Sequence, residues 1–328
     1  MAMLRDGRRA RRGVRVGAAD ASLTGVSGML AVSELVDLLG VIDRLDAAIG
    51  SIKKRRRGHT GGELLVGMAA AQLAGQDFLV GLDRLRADAA GQALAPVPGL
   101  ASTTAAGLAK RLSETQWRAV ETGIREIHTA MLGMLEPERA AALCQTVTID
   151  LDTTDVEVYG RKKGGVAYNY QGQRTGRPHL ASWAETATAL AADLMAGDED
   201  PRAHAPELLK RALAALPAQA RGAGTKVRLR ADAGYFAGEL ARAAHFSGIE
   251  FAIGAKRIAP LWQALAGIAE TDWVDAIDMP GAQVAVGTYC PAWWPANTRL
   301  LVRRVRLDVA AGQVSTDPRS RRRRTLPP

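Results

Sequence analysis

The stretch from Thr146 to Gly160, TVTIDLDTTDVEVYG, constrains the fold more than any other part of the chain. Val147, Ile149 and Leu151 alternate with Thr148, Asp150 and Asp152, the period of two that belongs to a β-strand with one buried face. That alternation puts both aspartates on one face, at the carboxyl end of the strand. The threonines that follow can turn the chain and hydrogen-bond a carboxylate. A second stretch of the same kind, KVRLRADAGYF from Lys226 to Phe236, delivers Asp232 into a glycine-containing turn. Two strand-end aspartates so far apart in sequence meet only if their strands are neighbours in one sheet. Meeting there, they would form a site for hard divalent cations, which take oxygen ligands.

With 328 residues the chain has room for two or three domains around that pair. Residues 1–25 read as a basic, loosely held arm, in which Arg8, Arg9, Arg11, Arg12 and Arg15 either follow a phosphate backbone or form a solvated tail. Residues 26–140 read as an all-helical domain. MLAVSELVDLLGVIDRLDAAI has helical spacing with a break at Gly40, ELLVGMAAAQLAG and FLVGLDRLRADAA each predict a helix, and Pro96 and Pro98 interrupt the chain. Ser113 with Gln116 three residues on predicts the N-cap of the next helix. The basic run Lys53, Lys54, Arg55, Arg56 and Arg57 between helices is either a DNA contact or a solvated loop.

Residues 141–258 change character. After the first strand, RKKGGVAYNYQGQRTGRPHLASWAETAT carries turn signals at Gly164–Gly165 and Gln171–Gly172, which predicts two further strands antiparallel to the first. Lys162, Lys163, Arg174 and Arg177 give this hairpin a basic rim, and Tyr168 and Tyr170 suit either stacking on bases or packing on strand neighbours. APELLKRALAALPAQA and AGELARAAHFSGI read as helices, each followed by a strand. The expected order β-β-β-α-β-α-β makes an α/β class with a mixed sheet and flanking helices. Residues 259–328 are Trp-rich and β-like, ending on the basic RSRRRRTLPP.

The net charge of +9 favours a polyanionic partner, most simply double-stranded DNA. Cys144 and Cys290 have neither zinc-ligand nor disulfide-framework spacing, which suits a reducing cytoplasm. No secretory signal opens the sequence, and no apolar run suggests a membrane span.

The DTT-ended strand, RADAGYF, and GGVAYNYQGQRTGRPH between them resemble the DDE transposases of bacterial insertion sequences. The likeness runs from about residue 25 to about residue 315. It implies an RNase H-like catalytic core over 141–258, preceded by a helical DNA-binding domain and carrying a β-rich insertion. It implies that Asp152 is the first catalytic aspartate and Asp232 the second, with Asp150 as an auxiliary metal ligand or a carboxylate satisfied by a nearby Arg. It implies two Mg²⁺ (or Mn²⁺) ions that serve DNA cleavage and strand transfer, and a homodimer on DNA. Arg177 and His179 of GRPH would contact phosphate or make structural hydrogen bonds. Trp293 and Trp294 would stack on a flipped base or pack the insertion. The third carboxylate of such enzymes is a glutamate in a Tyr-Arg…Glu context after the insertion, and nothing here stands in that context. Glu270, the last glutamate, precedes the insertion strands. The expectation is therefore a C-terminally shortened, catalytically impaired transposase, or one that binds DNA without cutting it.

DLDTT also fits the DxDxT text of aspartate-nucleophile phosphatases of the haloacid dehalogenase type, with Asp150 as nucleophile and Asp152 as acid/base. That reading lacks its downstream lysine and acidic pair, and leaves a basic helical domain unexplained.

Overall fold

In the computed structural model, residues 20, 22–55, 57–160 and 162–305 are described, together with the backbone of Met3–Leu4 and Val14–Arg15. Arg8, Arg9, Arg11, Arg12, Arg56 and the basic stretch from Arg319 lie outside the described residues, and only the backbone of Arg15 is inside them. The chain divides into two compact units, Met1–Gly254 and Ala255–Pro328.

The first unit opens with two short antiparallel strands, β1 (Met3–Leu4) and β2 (Val14–Arg15). Then come α1 (Met29–Leu38), α2 (Val41–Ile49), α3 (Gly61–Leu73), α4 (Val80–Ala87), α5 (Ala89–Leu94), α6 (Ser102–Ala109), α7 (Glu114–Gly133) and α8 (Pro137–Gln145). Gly40 separates α1 from α2 with φ +55°, a left-handed conformation that glycine adopts without steric cost. Ser113 and Gln116 form the expected capping box on α7, and Thr60 and Glu63 form another on α3. The FLVGLDRLRADAA text is two helices rather than one. Asp88 leaves helical geometry and caps α5 by accepting from the Gly91 amide at 2.9 Å, while Thr24 donates to its other oxygen at 2.5 Å. Leu45, Ile49, Leu64, Leu82, Leu100 and Leu108 form the core of this helical region.

The remainder of the unit is a sheet with helices: β3 (Thr146–Thr153), β4 (Val156–Glu157), β5 (Ala167–Tyr168), β6 (Arg174–Trp183), β7 (Thr188–Ala196), α9 (Pro201–Ala215), β8 (Lys226–Ala231), α10 (Gly238–Phe246) and β9 (Glu250–Ile253). Central β3 has antiparallel β6 on one side and parallel β8 on the other; β9 continues the sheet beyond β8, and β7 pairs with the far edge of β6. The expectation of two strands antiparallel to β3 holds for β6 alone. The next strand, β7, is antiparallel to β6 and so runs parallel to β3. It lies further along, in TALAADLMA, where adjacent Leu190 and Ala191 are both buried and no clean alternation shows. Val147, Ile149, Leu151, Trp183, Leu208, Leu229 and Leu240 are all buried in one core, so β3, β6, β8, α9 and α10 share it.

The second unit begins with a helix that the β-like reading of 259–328 did not anticipate, α11 (Ala259–Ala266). Its sheet has the order β10 (Val274–Asp275), β11 (Ala282–Gly287), β12 (Leu300–Val305), antiparallel throughout. Arg304 holds it together. Its guanidinium lies 4.3 Å from the Trp273 ring centroid and bonds both Glu270 and Gln283. Trp294 is buried and Trp293 half-exposed, with ring centroids 5.7 Å apart. No helix of the described residues is long and apolar enough to cross a membrane.

Candidate active site

The alternation in β3 does what its sequence dictates: Val147, Ile149 and Leu151 are buried, and Asp150 and Asp152 occupy the other face. The parallel register with β8 aligns Asp150 with Arg230 and Leu151 with Ala231. The residues that follow this last paired row on the two neighbouring strands are Asp152 and Asp232, and neighbouring strands lie about 4.8 Å apart. Asp232 continues β8 in extended geometry and caps the 3-10 turn Ala233–Tyr235, its Oδ1 accepting from the Gly234 amide at 2.8 Å. Asp152 Oδ1 accepts from the Thr153 amide at 2.8 Å. Both side chains are exposed, and no cation among the described residues pairs with either. Gly254, at the end of β9, presses on this turn: a Cβ there would lie 2.7 Å from the Ala233 nitrogen, so only glycine lets the two backbones approach.

Asp150 differs from its neighbour. Arg230 grips it with two hydrogen bonds, Nε to Oδ1 at 2.7 Å and Nη2 to Oδ2 at 2.5 Å. Of the two roles expected of Asp150, the one satisfied by a nearby Arg is what the structure shows, with a guanidinium that matches the carboxylate bidentately. A nucleophile tied in this way also serves a phosphatase poorly.

His179 requires a correction. It pairs with Thr153 across β3 and β6, has no exposed surface, and lies 5.5 Å from the Tyr235 ring centroid. Neither ring nitrogen has a hydrogen-bond partner. Burial first, and the charge of His204 second, bring its pKa down to about 4. A neutral, enclosed imidazole offers nothing to a phosphate. Tyr235 is equally buried. Burial holds its hydroxyl above the usual tyrosine range, and the charges of Asp152 and Asp232 both add to that. Arg177 is likewise spent. Its Nε donates to Asp155 at 2.8 Å and Nη1 to the Glu199 carbonyl at 2.8 Å, leaving it largely enclosed.

The remaining basic residues divide. Lys53 turns its ammonium onto the backbone carbonyls of Arg57, Gly58 and His59, holding the loop's shape instead of facing outward. Lys54, Arg55 and Arg57 stay exposed. With Arg111, which sequence reasoning missed because it lies far along the chain, they line a cleft of about 540 Å³. Lys162 and Lys163 are exposed, whereas Arg174 donates to the carbonyls of Gly160 and Lys163. Tyr235, Gly254 and Arg230 also escaped sequence reasoning. The AGY after Asp232 and the glycine after FAI were visible, but the contacts they make were not.

The donor set suits a hard cation: oxygen atoms only, on facing strand ends, without a competing positive charge. Among the described residues no three His, Cys, Asp or Glu side chains gather in a metal-holding group. Glu270, in the second unit, is ion-paired with Arg304.

No curated protein matches the chain. One solved structure it resembles is the cryo-EM structure of the piggyBac transposase synaptic complex with hairpin DNA. Identity is 12% and the TM-score 0.32, over 88% of this chain and 62% of that one, a likeness too distant to support inference. The family described as "Transposase DDE domain group 1" matches residues 7–314, nearly the whole sequence. The chain belongs to that DDE transposase family.

Proposed function

We propose that the chain acts as a transposase that binds transposon-end DNA and takes part in its metal-dependent cleavage and strand transfer, with Asp152 and Asp232 as catalytic carboxylates. The observation that carries this reading is their placement. Two exposed carboxylates directly follow the last paired row of adjacent parallel strands, each steadied by one backbone amide and neither paired with a cation among the described residues. The sheet order β7-β6-β3-β8-β9, with only β6 antiparallel to the rest, supports an RNase H-like core. The three-stranded unit after Gly254 supports a β-rich insertion.

Family membership implies dependence on a divalent metal, and Mg²⁺ or Mn²⁺ is the proposed ion. When bound, a pair of such ions stabilises the attacking and leaving oxygens of an in-line displacement at phosphorus. The chain's own contribution is to hold Asp152 at the end of β3 and Asp232 on its turn, a turn that Gly254 allows to sit close. The third ligand is the weak point. Glu270, in the second unit, is engaged by Arg304 and so is not offered as that ligand. End binding without cutting is the second reading, favoured by that Glu270–Arg304 pair. The exposed Lys54, Arg55 and Arg57 and the overall charge support DNA as partner.

The test is DNA carrying the parent element's ends, incubated with Mg²⁺ or Mn²⁺ and either wild type or Asp152→Ala. Cleavage that disappears in the variant supports the first reading. Binding without cleavage by the wild type supports the second. Absence of salt-sensitive DNA binding overturns both.

A further inference from the structure

Beyond the carboxyl end of β3, strand β6 runs on with β4 along one side and β5 along the other. Together they extend the sheet past the aspartate pair. Register places this extension on the same face as the carboxylates. Asp152 is level with Leu180, side chains alternate along β6, and six residues back Arg174 is level with Tyr168. Tyr168 thus stands on the carboxylate face, about 20 Å from Asp152 at roughly 3.3 Å per residue.

The extension is built firmly. Buried Asn169 accepts from the amides of Gln171 and Gln173 and donates to Asp155, which in turn holds Arg177. A side chain at residue 197 would collide with Thr175, so glycine there lets β5 pack against β6. The tyrosines on this scaffold are left outside it. Tyr168 is 69% and Tyr170 88% exposed. A strand tyrosine ordinarily packs on its cross-strand neighbour. Here that neighbour, Arg174, turns its guanidinium to the carbonyls of Gly160 and Lys163. Exposed Lys162 and Lys163 are in the same loop.

We propose that this extension is a second DNA contact, in which Tyr168 and Tyr170 stack on unpaired bases while Lys162 and Lys163 meet the backbone. Aromatic faces interleaved with cations are what single strands require, because each base presents a π-face and each phosphate a charge. Duplex DNA keeps its base faces in the stack and meets only the charges. The inference rests on the transposase reading, which brings DNA strands to Asp152.

The experiment is fluorescence anisotropy of the full chain with a labelled 20-nucleotide single strand and with its blunt duplex, at one fixed salt concentration. The proteins are wild type, Tyr168→Ala/Tyr170→Ala and Tyr168→Phe/Tyr170→Phe. The alanine pair is expected to weaken single-strand binding by at least about tenfold, as stacking on aromatic residues commands. The phenylalanine pair keeps it within about threefold, and both variants keep duplex binding within about threefold. Unchanged single-strand binding by the alanine pair, with duplex binding intact, overturns this inference and leaves the transposase reading standing. Equal losses on single strand and duplex overturn it too, because the contact is then not to bases. A wild type that binds neither DNA overturns the inference and the reading beneath it.

Discussion

Two consecutive rows on one face of the β3–β8 pair treat aspartate in opposite ways. In the first, Asp150 faces Arg230 and both carboxylate oxygens are bonded. Just past the next paired residues stand Asp152 and Asp232, and among the described residues no cation is paired with either. The first row is the ordinary solution for a strand surface, where an exposed pair contributes at most about 1 kcal/mol. The second works against the fold, since like charges directly opposite on a sheet destabilise it by a comparable amount. The buried face shows the same economy as the first row, with Asp193 bonded by both Arg118 and Arg211. A charge that the fold does not need, in a sheet that pairs Asp150 and Asp193 with arginines, is what the proposed metal role calls for.

The largest expected effect separates the two rows directly. Asp152→Asn or Asp232→Asn should lower Mn²⁺-dependent nicking of element-end DNA by at least about 10²-fold, beyond what losing an outer-shell partner of a metal site costs. Asp150→Asn should leave nicking within severalfold and cost only the exposed pair, under about 1 kcal/mol by urea denaturation. If Asp150→Asn abolished nicking and Asp152→Asn did not, the two rows would have been assigned the wrong way round.

Next in size is the backbone approach that sets the second row. Gly254→Ala places a methyl group against Ala233, and overpacking of that kind costs about 1–3 kcal/mol. Gly224→Ala, where nothing lies within 4 Å, should stay within about 0.5 kcal/mol of wild type. Chemical denaturation of the two variants compares them, and equal stability would mean that Asp232 is not held by this contact.

What was legible in the sequence was local. Gly40, the Ser113–Gln116 box and the alternation around Asp152 each announce themselves within a few residues, and the structure agrees with all three. A meeting of Asp152 and Asp232 requires their strands to be neighbours, and β3 and β8 are. What failed needed the register between strands. GRPH suits phosphate contact until β6 is paired with β3, which puts His179 beside Thr153 and inside. Arg230 reads as a surface cation until the parallel register sets it opposite Asp150. Lys53 belongs to a conspicuous basic run, yet its ammonium faces three carbonyls of its own loop, a contact that no charge count reveals. β7 hid for another reason: small and apolar residues on both faces leave no period to detect.

A smaller effect sharpens the same comparison through metal binding. A cation that binds only the folded state adds about 1.4 kcal/mol at ten times its Kd. Mg²⁺ should therefore raise the melting temperature of the wild type and of Asp150→Asn, and do so much less for Asp152→Asn. Equal shifts in all three would place the ion elsewhere.

On the buried side of the sheet two groups titrate with opposite sign, so that the net effect in the wild type is small. His179 has a pKa of about 4 when folded against an ordinary 6.5, so the unfolded chain binds the extra proton and stability is lost as pH falls from 6.5 towards 4. Glu121 goes the other way. Burial chiefly raises it to about 7 from an ordinary 4.5, so the folded chain binds the extra proton and stability is lost as pH rises from 4.5 to 7. Between pH 4.5 and 6.5 the two slopes oppose and the wild-type profile flattens. His179→Leu should expose the falling slope, to which Asp193, raised by burial, also adds. Glu121→Gln should expose the rising one, which His128, lowered by burial, supports. Urea midpoints measured across this range check both. If His179→Leu left the profile flat, the imidazole would be reaching solvent, and the packing of His179 on Tyr235 beneath the two aspartates would have to be redrawn.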